Sequence, residues 1–172
     1  MTSDSNATPS AATVREHIRR AWDELQQVVG SLDDDRLAAP GPDGWSIKDH
    51  LAHLADWEEY LVAMVDGRRP DEALGLDLSA TTTDEVNAQL QRRHVDRSPA
   101  DVRSRLREVH ARTVARLGEL DDSDLARPLS AYLPWTTSAD REGPIVDRVT
   151  GNTCEHYDEH RAWIKEMLAG TS

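Results

Sequence analysis

The sequence predicts an all-α fold, a four-helix bundle, and three observations carry that expectation. Four long segments repeat apolar residues at helical spacing, and no stretch alternates as a half-buried strand would. The breaks between these segments fall at clusters of Gly and Pro. An acidic segment, Gly30 to Pro40, is matched by Gly118 to Pro128, and each follows one long helix and leads to another. Two helix–loop–helix halves related in this way would close a bundle about a pseudo-twofold axis.

Residues 1–12 are rich in Ser, Thr and Ala, lack a basic or apolar leader, and read as a disordered tail before one domain at 13–169. Thr13 to Val29 form the first helix, with Val14, Ile18, Ala21, Trp22, Leu25 and Val28 as its apolar stripe, and Gly30 ends it. Residues 31–44 hold an acidic run with Pro40, Gly41, Pro42 and Gly44, so they connect through a loop with one short turn. Ser46 caps the second helix and Asp49 completes a capping box; the helix runs to Val65 and stops at Gly67 and Pro70. Residues 70–83 form a long excursion, after which Thr83 caps an extra helix from Asp84 to His94 anchored by Val86 and Leu90. The connection between the second and third bundle helices is therefore long and carries a short extra helix. Ser98 as N-cap, Pro99 at the first position and Asp101 at the third start the third long helix, which continues to Leu120. Gly143-Pro144 start the fourth, which extends to about Leu168.

Composition bounds the function. At 172 residues the chain fits one domain with a sizeable core. No apolar run reaches the roughly eighteen residues a spanning helix needs, so no membrane partner is expected. A single Cys154 excludes an internal disulfide and suits a reducing cytoplasmic setting. The net charge of −12 argues against a nucleic-acid partner, which calls for a basic face.

The chemistry concentrates near the C-terminus. His156 and His160, four apart, project from one helix face at a spacing that suits two imidazoles on one metal ion. They fall on an apolar seam of Val149, Thr153, His156, His160, Trp163 and Met167, where Leu would ordinarily sit. Buried imidazoles need partners, so the pair requires a metal, a catalytic pocket or a satisfied structural network. The second helix holds two more candidates, His50 and His53. His53 sits amid the core pattern, while His50 is nearer the helix start and reaches water more easily. Three neutral imidazoles with an open position form a site of the catalytic kind, and imidazole suits zinc, nickel, copper or iron(II). Glu159 and Asp56 are candidates to orient the rings. His17 and His110 read as partly buried structural groups, His94 as the end of an exposed helix, and Cys154 as a small packing residue. Tyr132 and Trp135 lie in a loop placed to overhang the bundle mouth, and Arg161 reads as an ion-pair partner.

Residues 44–58, from Gly44-Trp45-Ser46 through His53 to Trp57-Glu58, resemble the second-helix signature of the DinB/YfiT-like superfamily, and His156 with His160 matches its H-x-x-x-H. Within it the chain is most similar to the ClbS/DfsB family, on residues 82–87, Asp96-Arg97-Ser98 and residues 151–157. The resemblance covers residues 14–168 and implies a four-helix bundle in which His53, His156 and His160, and not His50, hold a divalent metal, zinc or nickel. It implies a small-molecule substrate and homodimerisation through a bundle face. The activities it implies are those of a metal-dependent hydrolase or thiol transferase acting on a small reactive electrophile, in detoxification or self-resistance, with metal-bound water or thiolate as the nucleophile. The alternative is a ClbS-like binding protein that sequesters a reactive compound without metal-dependent turnover.

Overall fold

Ser10 opens the first helix: its hydroxyl accepts from the Thr13 amide, and α1 runs Ala11–Val29. The computed structural model describes residues 8–76, 82–139 and 141–170. Of the expected N-terminal tail, residues 1–7 lie outside the described residues, and 11–12 belong to α1. The later elements are α2 (Asp34–Ala38), α3 (Ile47–Val65), α4 (Pro70–Leu74), α5 (Thr83–His94), α6 (Pro99–Gly118), α7 (Asp122–Leu125), α8 (Leu129–Tyr132), α9 (Ile145–Gly151) and α10 (Cys154–Ala169). Among the described residues there is no strand; two isolated bridges pair Pro40 with Ser46 and Pro128 with Pro144.

The long helices α1, α3, α6 and α10 form the bundle, with α3 packed chiefly on α6 and α1 on α10. Leu25, Leu54, Leu61, Ile145, Tyr157 and Ile164 are fully buried between them. Each such aliphatic side chain contributes about 1.5–3 kcal/mol, so apolar burial and not the polar site carries the fold. The sequence repeat is a structural one. Asp33 caps α2 on the Arg36 amide as Asp121 caps α7 on the Asp124 amide, and Pro40 and Pro128, equivalent in the repeat, each form a bridge.

Ser46 and Asp49 make the expected reciprocal capping box at α3, and the capping box of α5 is formed by Thr82 and Glu85, one residue earlier than Thr83. The excursion contains the extra turn α4, and its residues 77–81 lie outside the described residues. The expected continuous fourth helix is interrupted. The Asn152 side chain donates to the Arg148 carbonyl at 2.7 Å and the Thr153 hydroxyl to the Val149 carbonyl at 2.5 Å, which ends α9. Cys154, Tyr157, His160 and Ile164 are the buried residues of α10, so His160 keeps its place on the expected seam while Trp163, also expected there, is 42% exposed. No helix among the described residues is long and apolar enough to cross a membrane.

Candidate metal centre

The capping box fixes where α3 begins and so which turn carries its histidines. His50 and His53 lie three apart on α3, and His156 and His160 four apart on α10; the two faces meet. His53 Nε2 lies 3.2 Å from His156 Nε2, and His50 Nδ1 lies 2.9 Å from His160 Nδ1. One ring nitrogen from each of His53, His156 and His160 falls within 4.8 Å of the others. His50, expected nearer to water, is buried beside them.

Burial sets the charge of this cluster. It pushes His53 from its ordinary 6.5 down to about 3, with the neighbouring His156 and His50 acting in the same direction. Burial takes His156 to about 4 and drives His160 far below the usual range, helped by His156, His53 and His50. His50 is lowered by burial against the opposing carboxylates of Asp43 and Asp49. The rings are therefore neutral near pH 7, each with one proton and one lone pair.

Such a donor set fits a borderline divalent ion. The Nδ1 atoms of His53 and His156 are buried without a hydrogen-bond partner. When the two Nε2 atoms share a proton, one ring is left with an unpaired Nδ1–H and the other with a bare Nδ1. An ion taking both Nε2 lone pairs removes that mutual contact. The cluster borders a cavity of about 1060 Å³ whose walls include Trp45, Trp57, Asn87, Glu159 and Trp163. Trp45 stands 5.4 Å from the rings of both His50 and His53, and Trp163 stands 4.8 Å from His160.

Several expected roles are redistributed. Glu159 lines the cavity, but Asp56 does not: it is 1% exposed and accepts from His94 Nε2 at 2.9 Å and pairs with Arg105 at 2.8 Å. That pairing also buries His94, the expected end of an exposed helix. His110 is structural as expected, stacked on Trp22 at 3.6 Å, whereas His17 is exposed. Cys154 is buried, hydrogen-bonds the Thr150 carbonyl at 3.8 Å, and burial pushes its thiol up, away from a reactive thiolate. Arg161 pairs with Glu24 and Asp158. Neither Trp135 nor Tyr132 borders the cavity; Tyr132 donates to the Asp124 carbonyl at 3.0 Å.

Sequence reasoning missed Trp45 as part of the site, set the candidate His50 aside as nearer to water, and missed Glu58 as a wholly buried acid bonded by the Tyr157 hydroxyl at 2.7 Å. A signal for Trp45 existed. It precedes the N-cap Ser46 and packs on His50 four residues into the helix, the geometry of a hydrophobic staple.

Comparison with known proteins follows the same lines. The sequence pattern of the DinB superfamily matches residues 8–169. No curated protein sequence matches significantly. Among solved structures, the colibactin self-resistance protein ClbS in complex with dsDNA aligns at TM-score 0.72 and 17% identity, over 95% of this chain and 98% of that one. The sibling lethal factor precursor DfsB aligns at TM-score 0.70 and 16% identity, over 95% and 98%. YfiT from Bacillus subtilis, described as a probable metal-dependent hydrolase with an unusual four-helix bundle topology, aligns at TM-score 0.59 and 19% identity, over 99% and 93%. These identities speak to the fold alone. The ClbS complex nonetheless overturns the expectation that no nucleic acid can be a partner: a protein of this fold is crystallised on a duplex. Net charge sums a whole chain, whereas a duplex meets one face, so −12 was too coarse a ground for exclusion. With the superfamily pattern spanning nearly every residue and the bundle shared with ClbS, DfsB and YfiT, the chain belongs to the DinB superfamily.

Proposed function

We propose that this protein is a divalent-metal-dependent enzyme, a hydrolase or thiol transferase, acting on a small electrophile, with His53, His156 and His160 holding the ion. One observation carries the reading: three neutral ring nitrogens within 4.8 Å of one another, at the wall of a cavity of about 1060 Å³. The description of YfiT as a probable metal-dependent hydrolase and of ClbS as a self-resistance protein supports it. A zinc or nickel ion there supplies Lewis-acid polarisation and lowers the pKa of a coordinated water or thiol.

The chain's own groups handle the substrate. Trp45, Trp57 and Trp163 give the cavity apolar walls that exclude water from one side of a flat or apolar molecule. Trp57 Nε1 and Asn87 Oδ1 are buried at that wall without hydrogen-bond partners, one a donor and the other an acceptor. They offer a complementary pair to a polar group on the substrate. Glu159 lines the same cavity and is placed to accept a proton there.

The protein purified with zinc or nickel should hold one equivalent of metal, and His156→Ala should hold none. Retention of a full equivalent by that variant would show the ligand set to be wrong. Consumption of more than one equivalent of a test epoxide or activated ester per protein, lost on chelation, supports an enzyme. A single metal-independent equivalent would replace it with the sequestering alternative.

A further inference from the structure

We propose that His50 is a positioning residue: its Nδ1 accepts the Nδ1 proton of His160 and so holds His160 in the tautomer whose Nε2 carries the lone pair. The inference deepens the metal reading above and rests on it for its purpose, although the tautomer itself can be measured without metal. The two Nδ1 atoms lie 2.9 Å apart, a hydrogen-bond distance, with both rings buried. Two Nδ1 atoms at this distance share one proton, so one ring donates and the other accepts, and only two arrangements exist. If His50 donates, His160 carries its proton on Nε2 and its one lone pair is already engaged by His50. If His160 donates, its Nε2 is bare. The cluster that His160 forms with His53 and His156 can use only the second arrangement to hold an ion.

The surroundings hold His50 in place for this task. Trp45 lies 5.4 Å from its ring and Trp163 6.0 Å, so turning the imidazole away would displace an indole on either side. His50 is also on the first turns of α3, whose start is fixed by the Ser46–Asp49 box. A metal-ligating histidine usually donates its second N–H to a carboxylate or carbonyl. Here the acceptor is a neutral imidazole, which orients the ring without adding negative charge. The effect of His50 is therefore geometric, and an uncharged acceptor at the same place should replace it. Asn places Oδ1 close to where the histidine Nδ1 sits, whereas Ala places nothing there.

The test uses the full chain, uniformly labelled with nitrogen-15, and long-range proton–nitrogen correlation of the imidazoles at pH 7.5 without metal. The wild-type protein should show His160 as the Nδ1–H tautomer, His50→Asn should preserve it, and His50→Ala should give a mixture or the Nε2–H form. In parallel, Co(II) titration should show His50→Ala binding roughly 10–100-fold more weakly, with His50→Asn close to wild type and His156→Ala not binding. An Nε2–H tautomer for His160 in the wild-type protein overturns the proposal, and that measurement needs no variant to fold. Unchanged tautomer and unchanged Co(II) affinity in His50→Ala overturn it as well. If the wild type takes up no Co(II) while His160 shows the His50-dependent Nδ1–H tautomer, the metal reading fails and the positioning of His160 stands.

Discussion

At the scale of single residues, the neutral histidines make the fold sensitive to acid. His53 titrates near its ordinary 6.5 in an unfolded chain and near 3 in the fold. Between those values the unfolded chain binds more protons than the folded one, so stability falls as pH falls and is fully present above 6.5. At pH 5 the difference is about 2 kcal/mol for His53 alone. His156, lowered to about 4, adds in the same direction. The metal-free protein should therefore show a lower urea midpoint at pH 5 than at pH 7.5, and His53→Gln should flatten the slope. A midpoint constant across that interval contradicts the burial of these rings. His156 and His160 were legible in the sequence because helical spacing puts them on one inward seam, whereas the choice of His53 beside them came from the resemblance of residues 44–58. His50 was a candidate on the same helix as His53 but was set aside as nearer to water, because the groups that cover it, Trp45, Trp163 and α10, lie outside a single-helix pattern.

At the scale of elements, α5 shows why polar contacts escape a reading based on apolar stripes. Its expected anchors were Val86 and Leu90, yet its C-terminus is fixed from α3. Lys48 Nζ donates to the carbonyls of His94, Val95 and Arg97 at 3.3, 2.9 and 3.2 Å. Asp56 holds His94 and Arg105 together, joining α3, α5 and α6. The first turns of α5 place Thr83 and Asn87 on the cavity wall, so this clamp also shapes the substrate side. Asp56→Ala leaves a buried imidazole and a guanidinium without their shared acceptor, a loss of about 3 kcal/mol. Hydrogen exchange should quicken throughout α5 while the interior amides of α1 keep their protection. Uniform exchange across all helices would mean that Asp56 supports the whole bundle and not α5 in particular. The break between α9 and α10 was illegible for a related reason. Asn and Thr are tolerated inside helices, and only the bonds Asn152 and Thr153 make to α9 carbonyls reveal that they end one.

At the scale of the whole molecule, the repeat divides the bundle into a half containing α1 to α3 and a half containing α6 to α10. The main packing unites them through α3 on α6 and α1 on α10. The histidine cluster joins α3 to α10, one helix from each half, where direct packing is sparser. An ion held by His53, His156 and His160 is then a cross-link between halves that an unfolded chain cannot reproduce. A ligand that binds only the folded state stabilises by RT ln(1 + [L]/Kd), about 2.7 kcal/mol at a hundredfold excess over Kd. For a domain of this size each kcal/mol moves Tm by roughly 2–4 °C, so saturating zinc or nickel should raise it by about 5–10 °C. Chelation should reverse the rise, and His160→Ala should show none. Because the two ligands on α10 and the one on α3 come from different halves, unfolding should slow as Tm rises. An equal thermal shift in His160→Ala would place the ion elsewhere on this acidic chain, and the histidines would then be a packed polar interface and no more.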